Sequence, residues 1–241
     1  MEGSRLSSRA LVGVVLRRAL TLRPGDWGHL FVLALIVFLP IGAVEGLLDR
    51  LADQDLTITV VIVALSALAS ALIGEVFYSG AVAGLIAETP EGGRRPTILE
   101  LARRLPLLRL LAADVLVTAV VIAGALLLIV PGLIFFVWFA FVAPSIEIEK
   151  RGLWDAFRRS RELVRGRFWI VLALVGGIEV ASEAAVAGIE ELTHSLLGHG
   201  FAVEWVAEVV ANVITNPPYA VVLVMMALEL MRETPADAPG G

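Results

Sequence analysis

Six apolar stretches, separated by polar and arginine-rich segments, dominate the pattern of this chain. The first covers 28–48, close to the ~20 residues a helix needs to cross ~30 Å of hydrocarbon. A cleaved leader would carry an apolar region of only ~7–15 residues ending at a small-residue cleavage site. This run starts late and ends in Glu45 and Asp49, so it reads as an uncleaved first span. A short acidic loop leads to the second stretch, 56–87, which is too long for one upright crossing and too short for two. It reads as one helix that tilts or projects. From Pro106 to Ile148 the chain is apolar except for Arg109, Asp114 and Glu147. That length suits two crossings, 107–130 and 133–148, with Pro131-Gly132 as the turn between them. A fifth span covers 168–188 and a sixth 205–230, the latter interrupted near its centre by Asn216-Pro217-Pro218. Residues 231–241, rich in Pro, Ala and Gly, read as a disordered tail.

A lipid-facing segment must satisfy its backbone hydrogen bonds internally, which leaves the helix as the default. The expected fold class is therefore all-α: a polytopic transmembrane helical bundle of six spans, forming a single domain over 1–230. Composition agrees, with 58% hydrophobic and 18% charged residues, against roughly 45–50% and about 25% in soluble domains.

The basic residues fix the orientation. Lys and Arg collect on cytoplasmic flanks. Here they fall at Arg5, Arg9, Arg17, Arg18 and Arg23, then at Arg94, Arg95, Arg103, Arg104 and Arg109. The next loop holds Lys150, Arg151, Arg158, Arg159, Arg161, Arg165 and Arg167, and Arg232 follows the last span. With six spans all of these share one side and only Arg50 lies on the other. Both termini are thus expected in the cytoplasm, and the protein in the inner (plasma) membrane as a multi-pass chain. The preference for Arg over Lys suggests a GC-rich bacterial genome.

Two of the basic loops have helical periodicity. At about 100° per residue, Leu153, Trp154, Ala156, Phe157, Ser160, Leu163 and Val164 share one half of a helix, opposite Asp155, Arg158, Arg159, Glu162 and Arg165. Ile98 to Leu105 repeats the design, with Arg103 and Arg104 on its polar face. An apolar face backed by arginines suits a helix lying in the membrane interface. The same faces would also pack on the cytoplasmic end of the bundle. Arginine doublets precede each pair of spans (Arg17-Arg18, Arg103-Arg104, Arg158-Arg159), a pattern compatible with three units of amphipathic helix plus hairpin.

The stretch PGLIFFVWFAFVAPSIEIEKRGLWDAFRRSRELVRGRFW, from Pro131 to Trp169, resembles a known family. It is similar to the membrane domain found with glycerophosphodiester phosphodiesterases and to related stand-alone bacterial membrane proteins. The positions carrying the resemblance are Pro131, Gly132, Pro144, Glu149, Gly152, Ala156, Arg159, Ser160, Leu163 and Gly166. In that family the phosphodiesterase chemistry belongs to a separate soluble barrel. The resemblance therefore implies a membrane domain without catalysis.

Ionisable groups inside a bilayer mark functional sites by default. Glu75 and Glu179 fall within spans two and five, and Asn216 stands at the proline break of span six. Broken helices with midplane polar groups form substrate and ion sites in transporters, whereas polar residues also tie helices together. His194 and His199 beside Glu190 and Glu191 have the residue types of a zinc site but neither the spacing nor a fixed third ligand. No metal or cofactor is expected. The chain has no cysteine and a formal charge of −5, the first removing thiol chemistry and the second arguing against nucleic acid as a partner. No nucleophile–base pair stands out, so an enzyme is not expected. The leading expectation is a membrane protein that organises anionic lipid or a membrane-protein partner at the inner leaflet. Arg103, Arg104, Arg158, Arg159, Arg161 and Arg165 would contact headgroups. The alternative is a small transporter or lipid-handling carrier using Glu75, Glu179 and Asn216.

Overall fold

A computed structural model describes residues 7–22, 24–52, 76–88, 100, 103–104, 106–127, 129–198 and 200–235. Every regular element among them is helical. In chain order these are α1 (Ser8–Leu20), α2 (Pro24–Ala52), α3 (Val76–Glu88), α4 (Leu107–Leu127) and α5 (Ile129–Phe139). They continue with α6 (Val142–Ile148), α7 (Leu153–Val164), α8 (Phe168–Leu197) and α9 (Phe201–Glu233).

Ser7 caps α1, its hydroxyl accepting from the Ala10 N–H at 3.3 Å and satisfying one of the orphan donors of the first turn. Leu11, Val15 and Ala19, one per turn, are buried where α1 packs on α9. The axis then turns by 83° into α2. Along α2, Leu30, Leu33, Ala34, Val37 and Phe38 face inward, while Phe31, Val32, Leu35, Ile36 and Leu39 are exposed. A helix that is apolar on both its inner and outer faces is built for an apolar surround rather than for water.

α3 is buried from Tyr78 to Leu85. Its Tyr78 hydroxyl donates to the Leu30 carbonyl at 3.0 Å, and its ring lies 5.9 Å from that of Phe38. Gly80 lets α3 approach α4: a Cβ there would stand 2.9 Å from Leu110 Cδ1. α4 and α5 pack side by side with only residue 128 between them. The turn expected at Pro131-Gly132 is therefore displaced, because both residues lie inside α5. The reason is that N–H groups of a first helical turn have no intrahelical partner, so proline loses nothing there.

α5 and α6 are separated by a break at Ala140 and Phe141, yet together they give an apolar run, Val130–Ile148, long enough to cross a membrane. Phe168–Leu197 and Ala202–Glu233 also meet that condition, making three such helices among the described residues, or four if the bent pair α1–α2 is one span. α8 contains a π-helical segment, Leu172–Gly176, and buries only Val171 and Val175. α9 is the post of the bundle, packing against α1, α2, α3 and α8 and burying Ala220 through Ala227.

The interruption expected at Asn216-Pro217-Pro218 is corrected, since α9 runs helically through both prolines. Side chains just before the prolines bond back within the helix. Thr215 Oγ1 donates to Ala211 O at 2.9 Å, and Asn216 Nδ2 donates to Asn212 O at 3.2 Å and to Asn212 Oδ1 at 2.9 Å. α9 also extends to Glu233, into the segment read as tail.

Candidate functional site

The most elaborated side-chain chemistry lies at one end of the bundle, where the loop between α6 and α7, α7 itself, the start of α8, the end of α9 and Arg18 of α1 converge. Glu149 follows α6 and accepts from Arg159 of α7 through Nε (3.1 and 3.0 Å) and Nη2 (2.8 Å). Arg151 adds a second ion pair to the same carboxylate at 2.5 Å. Arg159 also donates to the Thr234 carbonyl just past α9. Around these, Arg167 pairs with Glu233 at 2.6 Å and Lys150 with Glu147 at 2.8 Å. Arg18 and Arg232 converge on the buried Glu229, Arg232 at 3.3 Å. Basic residues far apart in sequence thus meet at one end of the fold.

This clamp corrects one expectation. Arg159, expected to face headgroups, is only 2% exposed. The buried face is rotated from the one the apolar positions suggest and takes in Arg159, whose guanidinium finds in Glu149 and the Thr234 carbonyl the partners that burial requires. The buried face of α7 consists of Ala156, Arg159, Ser160, Leu163 and Val164. Trp154, assigned to the apolar face, is instead 69% exposed.

The other positions that carry the resemblance between 131 and 169 act as joints in the fold. Ser160 Oγ donates to the Trp138 carbonyl at 2.7 Å and accepts from the Phe141 N–H at 3.1 Å. It thereby supplies partners to backbone groups that the break between α5 and α6 would leave unmet. Pro144 lies in the first turn of α6, and Ala156 is fully buried under α7. Gly152 caps α7 with extended backbone, and Leu163 packs in the core. Gly166, at φ +79°, ends α7 in the left-handed conformation that glycine adopts without strain. The motif therefore builds the α5–α6–α7 corner.

Arg158, Arg161 and Arg165 remain exposed, as do Arg103 and Arg104. The rest of the helix expected over 98–105 lies outside the described residues, apart from Glu100. At about 100° per residue, Arg161, Trp154, Arg165 and Arg158 fall within about 60° of one another on α7. This basic and aromatic stripe borders a groove of about 640 Å³, walled by Ile134 and Trp138 of α5 and Phe168 of α8. The Arg161 guanidinium lies 4.5 Å from the centre of the Trp138 ring, within cation–π range. Across the ridge formed by Arg158 and Arg165, a second depression of about 740 Å³ holds Arg151, Arg159 and Arg167, whose charges are already met by Glu149 and Glu233.

The intramembrane candidates separate. Glu75 lies outside the described residues. Glu179 and Asn216 border the same small cavity, about 40 Å³, shared with Ser182, Glu183, Thr215 and Tyr219. Glu179 is half-buried and hydrogen-bonds Tyr219. His199 is outside the described residues, and among those described no cluster of three or more His, Cys, Asp or Glu could hold a metal.

Sequence reasoning missed Glu229, Glu233 and Thr234 as anchors of the clamp. Their one local signal is the i,i+3 spacing of Glu229 and Arg232 at the end of the last apolar run.

Fold and site together define an all-helical protein with several helices suited to a membrane and an ion-paired, arginine-rich end. The chain belongs to the family described as a domain of unknown function (DUF7847), whose model matches residues 80–231. The match covers the α5–α6–α7 corner and most of α9. No curated protein and no solved structure matches the chain.

Proposed function

We propose that this protein is a non-catalytic, six-span membrane domain that gathers anionic phospholipid at the cytoplasmic leaflet, with its arginine-rich end and both termini on that side. The observation that carries the reading is the division of labour on α7. Arg159 is buried in the clamp, while Arg158, Arg161 and Arg165 are exposed beside Trp154 on a single stripe. A structural role accounts for the first arginine. It does not account for three exposed arginines next to an exposed tryptophan, the residue type of membrane–water interfaces. Each surface arginine near an anionic leaflet contributes about 1 kcal/mol. The resemblance of residues 131–169 to the membrane domain associated with glycerophosphodiester phosphodiesterases is part of this proposal, and so is the bacterial inner membrane as location.

The test is energy transfer from the protein's tryptophans to trace dansyl-phosphatidylglycerol or dansyl-phosphatidylcholine in mixed liposomes. Transfer to the anionic probe should exceed transfer to the zwitterionic one. The R158Q/R161Q/R165Q variant should bring the two together. Equal transfer in the unaltered protein would overturn the proposal.

A carrier is the second reading, favoured by the meeting of Glu179 and Asn216 at one polar cavity between α8 and α9. Under it, Glu179→Gln would leave the fold intact and abolish solute-dependent transport in proteoliposomes. Under the lipid-gathering proposal, it would leave the dansyl-lipid preference unchanged.

A further inference from the structure

The groove beside α7 has two chemically different walls. One is apolar, built by Ile134 and Trp138 on α5 and Phe168 at the start of α8. The other carries Arg158, Arg161 and Arg165. Among the described residues these three arginines form no ion pair, in contrast to Arg151, Arg159 and Arg167 nearby. The one acidic group at the groove, Glu162, is half-exposed and lies 3.8 Å from Arg159, which offsets it. The groove is therefore electropositive along one side and oily along the other. Arg161 is held over the Trp138 ring, so at least one guanidinium is positioned without an anion bound.

Its level relative to a bilayer is marked independently. Trp154 on the arginine stripe is 69% exposed, and Trp169, next to Phe168 of the apolar wall, is 78% exposed. Neither indole lines the groove, but each stands on an element that does, and exposed tryptophans are expected where hydrocarbon gives way to headgroups. An aqueous anion site would need neither these tryptophans nor the apolar wall. The volume, about 640 Å³, lies within the ~300–1,000 Å³ of small-ligand pockets. It takes a headgroup and the upper part of one chain, leaving the remainder in the bilayer.

We infer that this groove holds one anionic phospholipid per chain, its phosphate against Arg158, Arg161 and Arg165 and the first carbons of one acyl chain along Ile134, Trp138 and Phe168. The inference rests on the lipid-gathering proposal and deepens it, from a general excess of anionic lipid to a site of fixed stoichiometry.

The experiment is native mass spectrometry of the full chain released from nanodiscs containing equal phosphatidylglycerol and phosphatidylcholine. The unaltered protein should keep a single phosphatidylglycerol at collision energies that strip the other lipids. Each of R158Q, R161Q and R165Q should lower its occupancy by about fivefold. I134W, which fills the apolar wall and leaves every arginine in place, should abolish retention while the dansyl-lipid preference of the liposomes persists. I134A, which widens the groove, should retain the lipid and guards against I134W failing to fold. A lipid ladder with no discrete single-lipid state, alongside an intact dansyl-lipid preference, would overturn the site and leave the general proposal standing. Loss of the preference as well would overturn both. Displacement of the retained lipid by millimolar glycerol phosphate would assign the groove to a soluble phosphate ester and overturn the lipid assignment.

Discussion

Adjacent arginines on α7 do opposite things, and the difference is measurable. Arg159 is enclosed by Glu149 and the Thr234 carbonyl, so its removal takes the buried partner from a carboxylate that then keeps only Arg151. Breaking such a buried pair costs about 3–5 kcal/mol, and Arg159→Gln should lower the midpoint of thermal unfolding by several degrees. Arg158→Gln, on the exposed side, should shift stability by no more than about 0.5 kcal/mol; equal losses from the two would contradict this account of the clamp. Ser160→Ala should cost about 1–3 kcal/mol by orphaning the buried Phe141 N–H, which thermal unfolding in detergent would read directly. Two sequence-adjacent arginines look alike on a helical wheel because the wheel records an angle and not a partner. The partners that separate them come from Glu149, ten residues back, and Thr234, seventy-five residues on.

At the level of elements, periodicity made α7 legible as an amphipathic helix, and run length made the apolar helices legible as a class. Proline misled twice for one reason. Pro131 and Pro217 look like breaks in the sequence, whereas proline is neutral in a first turn and can be carried by a long helix held through neighbours. In α9 the support is the surrounding bundle, in which Ala220 through Ala227 are buried. It follows that Pro218→Ala should not lower the unfolding midpoint, because it restores a backbone donor inside an intact helix. A sharp fall would show that the helix depends on an interruption there. The approach of α3 to α4 gives a second check. Gly80→Leu should be strongly destabilising in the same assay, and Leu110→Ala should restore part of the loss, since Leu110 Cδ1 occupies the space a Cβ would enter.

For the molecule as a whole, the six-span proposal would put every basic residue but Arg50 on one side of the membrane. The structure adds that Arg18, Arg159, Arg167 and Arg232 are tied into ion pairs at one end. Run length and charge are local properties, so the sequence could suggest such a grouping. It did not contain the clamp, whose pairs join residues as far apart as Arg18 and Glu229, nor the groove, which exists only once α5, α7 and α8 have come together. Orientation can be tested cleanly because the chain has no cysteine. Asp53→Cys should react with an impermeant maleimide only from outside the cell, and labelling only from the cytoplasm would contradict the six-span proposal. The most direct test of lipid gathering is to extract the protein from its membrane with a disc-forming polymer and measure the anionic fraction of the lipids that come with it. The account predicts enrichment over the bulk membrane for the unaltered protein and bulk composition for R158Q/R161Q/R165Q. Bulk composition in both would contradict it.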